Sequence, residues 1–119
     1  MFKVIMFVCK KETLSTEEFI ARWQLHSEKV SQFRTVLNIK AYTKTFPSKP
    51  EHSPSTDRKT LPFVFDAMGE LWYENKEEFV NARNSIAGKQ ALAALKADEE
   101  TFIDLTRSVM WLGQEEVVW

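Results

Sequence analysis

The stretch "FKVIMFVC", residues 2–9, limits this chain more than any other part of it. Both alternating sets are largely apolar: Phe2, Val4, Met6 and Val8 on one side, Ile5, Phe7 and Cys9 on the other. A strand that is apolar on both sides is covered on both sides, so the sheet it joins has two faces to bury.

The rest of the chain supplies the other elements. Ser15 and Glu18 form a capping box that starts a helix. From Phe19, the residues Trp23, His26, Val30 and Phe33 follow at offsets of four, seven, eleven and fourteen, which makes one buried stripe with a histidine in its middle. Leu25 lies off that stripe. The segment "NIKAYTKTF", 38–46, alternates as a strand does. "PSKPEHSPSTDRKTLP", 47–62, then holds all four prolines and reads as a long loop, either a lid or a spacer. A third strand covers 63–73, with Gly69 marking a bulge or a close approach. Asn75 caps a second helix whose apolar face is Phe79, Ala82 and Ile86, with a break or bend at Gly88. Asp98 stands as the cap of a last short turn. Residues 105–119 end the chain as a fourth strand with an extension at 115–119. The order is β-α-β-β-α-β, ferredoxin-like: a four-stranded antiparallel sheet with its helices on one face, in one α+β domain spanning 1–119.

Two helical segments cover only one face of such a sheet. The opposite face asks for a second copy, sheet against sheet, about a two-fold axis; the alternative is a monomer shielded by the proline loop. Sixteen basic and seventeen acidic side chains nearly balance, which argues against nucleic acid and against an acidic membrane surface. A single cysteine, a short N-terminal apolar run and no cleavage-site pattern make the expectation a soluble, cytoplasmic protein without a disulfide.

The strand "FKVIMFVCKK", the helix "STEEFIARWQLHSEKV", the strand "FDAMGELWY" and the segment "DEETFIDLTRSVMWL" together resemble the EthD-domain family, over nearly the whole chain. The more specific features are W-x-x-H in the first helix and D-x-x-x-E-x-W in the third strand. The resemblance implies a dimeric α+β barrel with a pocket between helices and sheet in each subunit. Relatives on this fold include lactone isomerases, polyketide cyclases, dehydratases and cofactor-independent monooxygenases, so the fold alone does not name a reaction.

His26 is the leading candidate for chemistry. It is either a core histidine bonded to a backbone carbonyl or, as the resemblance implies, an acid/base facing the pocket, where an imidazole titrates near neutral pH. Asp66 and Glu70 share a strand face with Trp72, but at about 3.3 Å per residue they stand about 13 Å apart and cannot form one dyad. Either could orient His26, with Glu70 preferred; the alternative is ion pairs with Lys40, Lys44 or Arg107. Tyr42 is a candidate donor to a developing oxyanion. Trp23, Trp72 and Trp111 are core residues or platforms for a flat substrate. His52 in the loop is a second acid/base or a solvated residue. Leu71 stands where some related lactone isomerases carry a cysteine, so their cysteine-assisted chemistry does not carry over.

Two histidines and one cysteine in three separate elements give no metal-ligand spacing, and three glycines give no phosphate cradle. No cofactor is expected. Related barrels that bind haem do so through a histidine of another helix, and the second helix here has none. The resulting expectation is a homodimeric enzyme acting on a small aromatic, lactone or polyketide-like molecule by proton transfer next to a carbonyl: isomerisation, dehydration or cyclisation. Its rivals are a carrier of a hydrophobic metabolite and a solid, purely structural barrel. A cavity beside His26 with a carboxylate in hydrogen-bond reach favours the enzyme.

Overall fold

The computed structural model describes residues 1–48 and 58–119. Strand β1 is Phe2–Val8, helix α1 Thr16–Gln32, strand β2 Ala41–Thr45 and strand β3 Ala67–Tyr73. Helix α2, Lys76–Asn84, helix α3, Ile86–Glu99, a 3₁₀ turn at Leu105–Arg107 and strand β4, Val109–Gln114, complete the chain. The four strands form one sheet in the order β2-β3-β1-β4, every neighbouring pair antiparallel. The helices lie on one face, so the fold is ferredoxin-like, as the element order implies.

Local chemistry sets the element ends. The Ser15 hydroxyl accepts from Glu18 N–H while the Glu18 carboxylate accepts from Ser15 N–H, completing the capping box. Asn75 accepts from Glu78 N–H at 2.8 Å, but the Glu78 carboxylate turns instead to Asn38. The second helix breaks at Ser85, three residues before Gly88. Ser85 is both the last cap of α2 and the first cap of α3, where its hydroxyl accepts from Gly88 N–H. Gly88 is needed because a Cβ there would lie 1.7 Å from the Ala82 carbonyl oxygen. Ile86, expected on the apolar face, falls just past the break and is 79 % exposed. Asp98 lies in the last turn of α3 rather than capping a new one; Asp104 caps the 3₁₀ turn, accepting from Thr106 N–H.

Strand β1 is central and paired on both sides. Phe2, Val4 and Val8 face the helices and are buried. In β3 the helix-facing set is Ala67, Gly69, Leu71 and Tyr73, which stand opposite Val8, Met6, Val4 and Phe2. The third strand begins at Ala67 rather than at residue 63. The preceding residues run outside the ladder, and Phe63 (edge-on) and Phe65 (tilted) pack against Phe7 at 5.8 and 5.5 Å between ring centroids. Gly69 makes a close approach without a bulge: a Cβ there would lie 3.1 Å from Trp23 Cζ2. The core divides into two clusters, one around Val4, Val30, Leu37, Tyr73 and Leu95, the other around Val8, Phe19, Trp23 and Phe102. Met6 packs against both.

Candidate functional site

Between the two clusters, helices and sheet enclose a cavity of about 360 Å³. Its wall is mostly apolar, with Val4, Leu71, Leu95 and Met110 among its lining residues, and several elements contribute polar groups. Helix α1 contributes His26, β2 Tyr42, α2 Arg83, and the end of α3 Lys96 and Glu99.

His26 is placed by the stripe it interrupts: Phe19, Trp23, His26 and Val30 are the buried residues of α1. It is 6 % exposed, and its ring packs against Phe102 at 5.3 Å. Its Nδ1 lies 2.8 Å from Asp98 Oδ2, and the other oxygen of that carboxylate accepts from Lys29 Nζ at 2.9 Å. Burial pushes the Asp98 carboxyl up, but the bonds from Lys29 and His26 outweigh it and hold it below the ordinary aspartate range. An ionised carboxylate only accepts, so Nδ1 carries the proton of the imidazole. Burial holds His26 below its ordinary value despite the pull of Asp98, so the ring is neutral near pH 7. Nε2 is therefore a free lone pair. It makes no hydrogen bond among the described residues, none of whose sealed side-chain nitrogens or oxygens is unpaired, so Nε2 is accessible on a residue that lines the cavity.

Two further groups complete the chemistry. The Tyr42 hydroxyl accepts from Trp23 Nε1 at 2.7 Å, and burial raises it above the usual phenol value against the pull of Ser27 and Trp23, so it stays protonated. The Glu99 carboxyl, with no hydrogen-bond partner among the described residues, is pushed up to about 7 by burial and by the neighbouring Asp98 charge, with Arg83 opposing. Near neutrality it exists in both forms. A base, a neutral hydroxyl donor and a carboxyl that can hold a proton thus share one apolar cavity, the components of acid/base catalysis.

Of the residues singled out in the sequence, His26, Tyr42 and Trp23 come together here. The others do not. Glu70 and Asp66 do not orient His26; that partner is Asp98. Glu70 lies on the opposite face of the sheet, bonded to Lys3 Nζ at 2.6 Å, because β3 turns its other parity to the helices. Asp66 accepts from Lys10 N–H at 2.7 Å and ties off the end of β1. Trp72 is on the outer face, donating to Glu115 at 3.0 Å with Lys3 Nζ 4.4 Å from its ring centroid. Trp111, opposite Ile5 on that same face, is 48 % exposed. His52 lies outside the described residues, with most of the proline-rich loop. Asp98, Glu99 and Arg83 carried no functional assignment in the sequence. No cluster of three metal-ligating side chains occurs among the described residues, nor any helix long and apolar enough to cross a membrane.

The EthD domain model matches residues 11–106, and the chain belongs to the EthD-domain family. Its fold is similar to that of an ethyl tert-butyl ether D (EthD) family protein from Bacillus halodurans, with 19 % identity, a TM-score of 0.65, and 98 % of this chain and 99 % of that one covered. A dimeric ferredoxin-like protein of unknown function from Bacteroides fragilis aligns with 8 % identity and a TM-score of 0.61, covering 96 % and 95 %. A hydroxynitrile lyase from Passiflora edulis aligns with 13 % identity and a TM-score of 0.56, covering 98 % and 95 %. Comparison with functionally curated proteins returns no match.

Proposed function

We propose that this protein is a small-molecule enzyme of the proton-transfer kind, acting next to a carbonyl group in an apolar substrate by isomerisation, dehydration or cyclisation. The observation that carries this reading is the Asp98–His26 pair at the wall of the cavity, with Nδ1 tied at 2.8 Å and Nε2 open. A carbonyl whose α-proton meets Nε2 would lose it to the imidazole, and the imidazolium would be stabilised by Asp98. The developing enolate oxygen would take a hydrogen bond from Tyr42 or from protonated Glu99. Asp98 acts here as a positioning residue, and no step draws on a cofactor.

A carrier would need the cavity without the carboxylate, and a solid barrel would have no cavity; the geometry favours the enzyme over both. A fold shared with a hydroxynitrile lyase supports small-molecule chemistry in such a framework without specifying this substrate. The reading includes a homodimer. The Bacteroides fragilis neighbour is described as dimeric, and β4 leaves Val109 and Trp111 exposed on the outer face.

The test is turnover of whichever aromatic ketone, lactone or polyketide-like compound a thermal-shift screen identifies. His26→Gln should keep the fold and the binding while lowering turnover about 10²–10⁴-fold. Asp98→Asn should lower it less and move the acidic limb of the pH profile, as a group acting through His26 would. A folded His26→Gln protein turning over at the wild-type rate would remove the catalytic assignment.

A further inference from the structure

We infer that the natural ligand of the cavity carries a carboxylate, received by the Arg83 guanidinium, while its apolar body lies against Val4, Leu71 and Leu95. The inference rests on the cavity being a small-molecule site, and not on catalysis by His26.

Arg83 is the feature the acid/base reading leaves unused. It lines the cavity from α2, half-buried, with its guanidinium 4.5 Å from the centroid of the Phe79 ring. A guanidinium over a ring face keeps its N–H donors available for another partner. Among the described residues those donors make no hydrogen bond, and no carboxylate lies within ion-pair distance of them. The one acid sharing that wall, Glu99, is itself without a hydrogen bond. A second cation, the exposed Lys96, joins Arg83 in the lining. An unpaired guanidinium beside an apolar cavity is matched by a planar carboxylate, which it can bind through two parallel hydrogen bonds. A neutral ligand forgoes the ion pair and its two parallel bonds.

The charged and titratable groups around Glu99 give the inference a second consequence. Arg83 influences it from α2 and Tyr42 lies near it from the sheet; Tyr73 and His26 line the same cavity, with Lys96 and Asp98 on its own helix and Glu100 just past its end. Tyr42 and Tyr73 are both raised by burial and stay neutral, so the acidic charges in reach are Asp98, Glu100 and Glu99 itself. Only Glu99 changes charge near pH 7 in the direction that repels an anion. Below that point it is protonated and an anion meets Arg83 unopposed. Above it the Glu99 charge opposes a second anion beside the same guanidinium. Protonation of His26 acts in the same direction but lower on the pH scale, and Glu99→Gln separates the two.

Isothermal titration with 2-naphthoate and its neutral isostere 2-naphthamide tests this. The naphthoate should bind at least about tenfold more tightly at about pH 6, a charge-assisted pair replacing a neutral one. That advantage should shrink severalfold by about pH 8.5 and become flat across this range in Glu99→Gln. Arg83→Gln should abolish the preference by weakening 2-naphthoate far more than 2-naphthamide, and Arg83→Lys should keep part of it. Equal binding of the two probes, or Arg83→Gln weakening both alike, overturns the inference; failure of both to bind at millimolar concentration does so too, since the apolar cavity is its premise. A naphthoate preference lost in Arg83→Gln stands even where His26→Gln leaves turnover intact, so the two readings fail separately.

Discussion

His26 was legible in the sequence because it interrupts a stripe whose spacing is fixed by the helix itself, and that argument is local. Its partner was not, because Asp98 is 72 residues away and no periodicity in α1 refers to it. A signal was nevertheless present. Asp98, Glu99 and Glu100 place three acids at the C-terminal end of α3, where the helix dipole disfavours negative charge. A local rule broken without local compensation points to a site elsewhere in the fold. The Asp98 carboxylate accepts from His26 and Lys29, whereas burial disfavours Glu99 as an anion, which makes a stability prediction. Its folded-state value, about 7, lies above the ordinary 4.5, so its contribution is fully present below about pH 4.5 and is lost as the pH rises through 7. Glu99→Gln removes that loss. The variant should match the wild type near pH 4.5 and exceed it above pH 7, by about 3 kcal/mol at most for the full shift and less with solvent relaxation. Urea denaturation at both ends of that range measures it, and an equal difference at both would show that Glu99 is not the titrating group.

At the scale of elements, starts were easier to read than phases. Ser15 and Asn75 announce α1 and α2 because a cap is satisfied within three residues. The phase of β3 was ambiguous because Val64, Met68 and Trp72 are as apolar as Phe65, Leu71 and Tyr73. Choosing the wrong parity moves every side chain to the other face, which is how Glu70 and Trp72 came to be assigned to a pocket they do not reach. The two glycines that shape the elements differ in what surrounds them. At Gly69 a methyl group meets the edge of the Trp23 ring at 3.1 Å, so that side chain must give by a few tenths of an ångström. At Gly88 it meets the Ala82 carbonyl at 1.7 Å, which is backbone and part of the α2–α3 junction. Gly69→Ala should therefore cost about 1 kcal/mol and shift Trp23 fluorescence, whereas Gly88→Ala should cost about 3 kcal/mol or more by opening the junction. Thermal unfolding ranks the pair, and a milder Gly88→Ala would mean that the two helices are not held where they are described.

For the whole molecule the decisive property is the sheet face away from the helices. The two-sided apolar character of β1 raised it from the sequence, and the strand order places it: β1 is central, and β4 at the edge continues its outer face with Val109 and Trp111 beside Phe7 and Ile5. The charged groups Lys3, Glu70 and Glu115 on that face are already matched to one another. Lys3 bonds Glu70 at 2.6 Å and lies 3.5 Å from Glu115, which also accepts from Trp72. Paired charges can be covered with far smaller desolvation losses than free ones, so this face is suited to burial against a like surface. In a two-fold contact each apolar residue counts twice, and a large aromatic near the centre carries a disproportionate share of the energy. Trp111, 48 % exposed, is the large aromatic that this face presents. Sedimentation at micromolar concentration should give about twice 13.9 kDa for the wild type. Trp111→Asp would place two unpaired carboxylates in the contact, and should raise the dimer dissociation constant by about 100-fold or more without unfolding the subunit, since the side chain lies outside both core clusters. A wild-type protein that sediments at 13.9 kDa would return the outer face to the monomer alternative. A Trp111→Asp dimer as tight as the wild type would place the contact on another surface.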